Sequence, residues 1–142
     1  MRGLEILLKG KIVITAILWC LPLLTFPASW FVALGVPSPE PIFIARLLGA
    51  AYLALLVGYY AGLRGLAKGE SPLPVMHMGI ASNGFAAAIL VCYGATGAWS
   101  SWGMGASVFM WLSTMGAFSI TATLVHFRLG YAPGIENQAC VK

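Results

Sequence analysis

At 142 residues and a formal net charge of +4, the chain is 60% hydrophobic and only 8% charged, with a mean hydropathy of +0.89. So little polar surface excludes an ordinary water-soluble domain and points to a bilayer as the main solvent. The basic residues are spread along the chain at the ends of apolar blocks, so the charge speaks for membrane orientation and not for nucleic acid.

A membrane-crossing helix takes about 20 apolar residues. The first block predicts a span over 8–26, with Lys9 and Lys11 near its start, where long cationic stems snorkel to the headgroups. Pro27 should break or kink it. Residues 28–35 then continue as a short helix in the outer interface, anchored by Trp30; the alternative is one long, kinked helix to Gly35. Pro37, Pro39 and Pro41 make the next segment an extended loop. Further spans are predicted over 42–66, 74–96 and 104–127, and the tail from Leu129 to Lys142 is polar enough to leave the membrane. The blocks are too long for strands and lack the alternation of a membrane barrel. The expected fold is all-α: a single-domain integral membrane four-helix bundle with a short outer interfacial helix after the first span.

A cleaved signal peptide competes for the first block. Its apolar core would be overlong, Glu5 sits in the charged region, and no small-x-small cleavage site is evident, so the segment is read as mature structure. With the N-terminus inside, the inner side carries Arg2, Lys9, Lys11, Arg64, Lys68, Arg128 and Lys142, against Arg46 alone outside. This bias places both termini in the cytoplasm of a bacterial-type inner membrane, and Trp30, Trp99 and Trp102 then fall in an outer aromatic belt.

Arg46 and Glu40 are read as an outer ion pair, the alternative being an anion or quinone-headgroup contact. Arg46, Ala50, Ala54, Gly58 and Gly62 recur every four residues, and Ser113, Ala117 and Thr121 repeat the pattern in the fourth block. Such rows allow close helix approach and are read as packing seams, with Leu56 on the opposite side of its helix. His77 and His126 should lie at similar depth near the inner surface, beside Arg64 and Arg128. They are read as interfacial histidines; the alternative is a rim of His77, His126 and Arg128 holding haem or quinone. Ser82 and Asn83 lie inside the third span, where a buried Asn needs partners. Either it bonds Ser113, Ser119, Thr121 or Thr123 on the fourth span, or it belongs to a polar cavity. Tyr52, Tyr59, Tyr60 and Trp111 are read as packing or belt residues. Cys20, Cys92 and Cys140 form no disulfide framework, no metal spacing exists, and Cys140 lacks a prenylation box.

The run Pro27-Ala28-Ser29-Trp30-Phe31, then Leu34-Gly35-Val36-Pro37, Arg46-Leu47-Leu48-Gly49-Ala50-Ala51-Tyr52-Leu53-Ala54-Leu55 and Gly58-Tyr59-Tyr60, resembles the small bacterial DoxX-like four-span proteins over the first half of the chain. The resemblance implies a compact four-helix bundle and, for some members, a role as membrane partner of redox enzymes. It gives His77 and His126 no role.

None of the four acids lies mid-span and no catalytic motif is present. The expected function is therefore a small non-catalytic accessory or scaffold subunit, docked to other membrane subunits or to copies of itself, with no cofactor and with Glu136 and the tail on the cytoplasmic part of the assembly. The alternatives are a redox-linked quinone or haem protein and a small-solute permease, the latter disfavoured by the lack of mid-membrane charge.

Overall fold

The computed structural model describes residues 2–139, with side chains through 131, and every element among them is helical. Helix α1 (Arg2–Thr15), one π-helical turn (Ala16–Cys20) and α2 (Leu21–Thr25) run on from one another as the first long helix. It begins at Arg2 rather than near residue 8. Leu4 and Leu8, one turn apart, are 1% and 0% exposed, so burial in the core carries the helix past Glu5 and Lys9.

The π turn has a cause in the sequence. Pro22 has no N–H for the carbonyl of Leu18, and its ring crowds that carbonyl. A wider turn just before it relieves the conflict: the Leu21 N–H reaches back five residues to the Ala16 carbonyl. At Pro27 the helix breaks outright. Phe26 is forced into the extended region, as the residue before a proline is. Helix α3 (Ala28–Ala33) then starts afresh, followed by α4 (Ile42–Ala67), α5 (Leu73–Ala95) and α6 (Met104–Ala139).

Four helical stretches, Arg2–Thr25, Ile42–Ala67, Leu73–Ala95 and Met104–Tyr131, are long and apolar enough to cross a membrane. Helix α6 overruns its expected end at Phe127. Loss of hydropathy marks where hydrocarbon should stop, but the backbone ladder ends only at a breaker or cap. Expectations for the side chain of Glu136, and for Cys140 and Lys142, fall outside the described residues.

The helices form two hairpins. The first long helix lies along α4, α5 lies along α6, and a looser seam between α4 and α5 joins the pairs. At the end of the bundle where α1 starts and α4 finishes, Leu4, Leu8, Tyr59, Val75, Met76 and Leu124 form the core. Small residues set the approach distances. A Cβ at Gly62 would stand 2.5 Å from Val75 Cγ2, and one at Gly49 would stand 2.9 Å from Leu24 Cγ.

The row expected as one seam on α4 is split. Gly58 and Gly62 meet Met78 and Val75 of α5, whereas Ala50 and Ala54 are exposed. Each four-residue step advances about 40° around a helix, so a straight row winds off any one face. Leu56, expected opposite the seam, is buried at 7% exposure, and its neighbour Val57 takes the outward position at 64%. Ser113, Ala117 and Thr121 are each half-buried on α6. Trp99 faces into the bundle: it is 5% exposed, packed edge-on to Trp111 at 5.6 Å between ring centroids. Trp30 is exposed.

Beyond α3, Gly35 takes φ 81° and closes the helix, with the Val36 N–H returning to the Phe31 carbonyl. Its own carbonyl accepts the Gly103 N–H at 2.8 Å, tying the α3 loop to the start of α6. A Cβ on Gly35 would stand 2.8 Å from Gly103 Cα, backbone that cannot step aside. Gly35→Ala should therefore cost about 1–2 kcal/mol from the left-handed backbone alone, more with the clash. Thermal unfolding in detergent should show it as a lowered midpoint, while Gly105→Ala, whose Cβ meets nothing within 4 Å, should leave the midpoint in place.

Candidate functional site

Between the two hairpins lies a cavity of about 260 Å³. Its polar end is built from one residue of α1, one of α4 and two of α5. Lys11 lies nine residues into α1 and Asn83 ten into α5, about 14 and 15 Å along their helices from the same end of the bundle. They meet at that level: Lys11 Nζ donates to Asn83 Oδ1 at 2.5 Å. Asn83 Nδ2 donates to the Gly79 carbonyl at 2.6 Å and to Tyr59 Oη at 3.1 Å. Tyr59 Oη and Ser82 Oγ are 2.9 Å apart, and Ser82 Oγ also donates to the Gly79 carbonyl. The Lys11 ammonium stands 5.1 Å from the Tyr59 ring centroid, within cation–π range.

Lys11 is thus turned inward, not toward the headgroups. It has three donors, of which one goes to Asn83 and the ring face of Tyr59 attracts its charge. Among the described residues no carboxylate, His or Cys lines the cavity. The remaining wall is mainly apolar and aromatic, with Thr15 and Ser113 as its polar members. Trp19 packs against Tyr52 of α4 at 5.5 Å and Phe109 of α6 at 5.4 Å, bridging the hairpins, and Leu18, Leu55 and Ala117 add to it. The result is one cationic end and a greasy remainder. It can hold an amphiphile whose head accepts hydrogen bonds. Ser82 is not set up as a nucleophile: its hydroxyl is engaged by Tyr59 and the Gly79 carbonyl, and Lys11 bonds Asn83 instead of Ser82.

Besides the Gly79 carbonyl of its own helix, Asn83 finds its partners on α1 and α4. The α6 hydroxyls of Ser113, Thr121 and Thr123 turn back to the carbonyls of Phe109, Ala117 and Ser119 on their own helix. A hydroxyl four residues past a carbonyl reaches it with little strain. Ser113 and Ala117 still reach the cavity wall, as does Ser82.

The outer ion pair does not form. Arg46 Nη1 and Nη2 donate to the carbonyls of Leu23 and Phe26, each at 2.7 Å, while Glu40 accepts from Ser38. The carbonyl of Leu23 would be served by the N–H of residue 27, and residue 27 is a proline. Arg46 supplies the missing donor, a stronger demand than a solvated carboxylate makes.

His77, His126 and Arg128 are all exposed. His126 borders an open depression with Leu4, Met76 and Phe127, in which neither His77 nor Arg128 takes part. No group of three or more His, Cys, Asp or Glu among the described residues is placed to hold a metal ion. Cys20 is buried, Cys92 exposed, and both are free. The chain matches no family model, no curated protein and no solved structure.

Proposed function

We propose that the protein is a non-catalytic accessory subunit of a bacterial-type inner membrane, with the Arg64 and Arg128 end in the cytoplasm, that holds a single amphiphile between its two hairpins. The observation that carries this reading is Lys11, the one charged residue on the described wall of a mostly apolar cavity, with donors left after its bond to Asn83. A charged residue at membrane depth is expensive unless it pairs, and such residues mark binding sites. The amphiphile's head would sit by Lys11, Tyr59 and Ser82 and its tail along Trp19, Tyr52 and Phe109. The basic bias of one end supports the orientation. In this reading the protein stores or presents its ligand to neighbouring membrane proteins, and the ligand site lies inside the bundle rather than at the rim of His77 and His126.

Native mass spectrometry of the protein extracted in mild detergent is the test. A small-molecule adduct should accompany the wild-type chain, within a larger assembly. Asn83→Leu removes the acceptor that fixes Lys11 and should lower adduct occupancy by about tenfold, the effect of losing one hydrogen bond to a charged group. An adduct-free wild type from several detergents would overturn the reading.

A further inference from the structure

The cavity's electrostatics narrow the ligand class. We infer that the amphiphile held between the hairpins is an anion, a single-chain carboxylate of the fatty-acid type, with Lys11 as its counter-ion; the inference rests on the binding role proposed above. Among the described residues Lys11 has only neutral partners: the Asn83 amide oxygen and the Tyr59 ring. The acids nearest in sequence to the site's residues lie elsewhere. Glu5 is six residues before Lys11, more than one and a half turns away, and Glu70 packs against Gly65 at the C-terminal end of α4. A half-buried ammonium attended only by dipoles lacks the opposite charge that would offset its partial desolvation. A ligand carrying one negative charge supplies it, whereas a neutral head leaves it missing.

Charge count and shape favour the carboxylate. One lysine matches one negative charge, while a phosphate monoester brings between one and two. Asn83 Nδ2 already serves Gly79 and Tyr59, and the hydroxyl protons of Tyr59 and Ser82 go to Ser82 Oγ and the Gly79 carbonyl, so the head meets the two ammonium donors left on Lys11, a small set suited to two oxygens. A cavity of about 260 Å³, at the small end for ligand sites, takes one chain rather than the two of a phospholipid.

The experiment titrates the full chain, in nanodiscs of neutral phosphatidylcholine, with laurate, dodecanol and dodecyl phosphate, which share a chain and differ in head. Binding is read by quenching of tryptophan fluorescence, with brominated chains as quenchers, since Trp19 lines the site. Laurate should bind at least about tenfold more tightly than dodecanol. Lys11→Met should erase that preference while leaving dodecanol binding in place. Dodecanol equal to laurate on the wild type would overturn the anion assignment and leave the binding role standing. Dodecyl phosphate tighter than laurate would overturn the carboxylate. No quenching by any of the three would sink both proposals. The wild-type comparison needs no variant, so a Lys11→Met chain that fails to fold does not shield the inference.

Discussion

Gly79→Leu should prevent the bundle from assembling. A Cβ alone at this position would stand 2.6 Å from Leu124 Cδ1 and 3.4 Å from the Tyr59 ring, and those neighbours are 0% and 1% exposed. Leu124 can swing its end for one methyl; it has nowhere to go for a whole isobutyl group. Overpacking a dense core commonly costs about 1–3 kcal/mol and occasionally more. This site compounds it, because Gly79 also offers the carbonyl that Asn83 and Ser82 bond. A leucine that also pushes α5 off the Tyr59 ring of α4 would separate Asn83 from Tyr59 as well. Size-exclusion chromatography in mild detergent should show aggregate in place of the wild-type peak. Val57→Leu, on the outward face, should run as wild type. A Gly79→Leu protein with the wild-type profile and melting midpoint would mean that α5 and α6 do not approach as described.

Arg46→Ala should be the most damaging change at the other end. It strands the carbonyls of Leu23 and Phe26, one robbed of its helical donor by Pro27 and the other facing the break in the helix. A hydrogen bond from a charged donor is worth roughly 1.5–3 kcal/mol, and in hydrocarbon an unserved carbonyl has no water to fall back on. Arg46 is only half-buried, so the lower part of that range applies to each bond. Arg46→Lys should recover part of the loss, because an ammonium lacks the fork that reaches both oxygens together. Glu40→Gln should change little. Differential scanning fluorimetry in one detergent would order the variants, and a Glu40→Gln loss as large as that of Arg46→Ala would restore the ion pair in place of the carbonyl contacts.

The helical blocks were readable because lipid-crossing length and hydropathy are properties of a segment by itself, and Pro27 acts within the chain. Side-chain direction is a property of pairs of helices, and there the reading failed where one residue type serves two ends. Lys11 near a helix start looks the same whether it reaches out to headgroups or in to Asn83. The evidence lay in the neighbouring positions: Leu4, Leu8 and Thr15 are buried, and Lys11 falls on the same stripe at helical spacing. Val75, Gly79, Asn83 and Ala87 make the matching stripe on α5. Reading those stripes together places lysine and asparagine on facing surfaces. Arg46 was misassigned for a different reason. Glu40 offered a partner of opposite sign, whereas the two carbonyls become acceptors only once Pro27 has broken the ladder.

The π turn at Ala16–Cys20 also sets the rotational phase of everything before it. One residue corresponds to about 100° around a helix axis. The wide turn absorbs rotation that a regular α-helix through the same sequence would pass on. Threaded without it, the fourteen residues of α1 would present another azimuth to α4 and α5, carrying Leu4 and Leu8 out of the core and Lys11 away from Asn83 together. The proline that forces the bulge thus acts at a distance as an indexing device. It lies eleven residues beyond the lysine, yet it helps to decide which way that lysine faces.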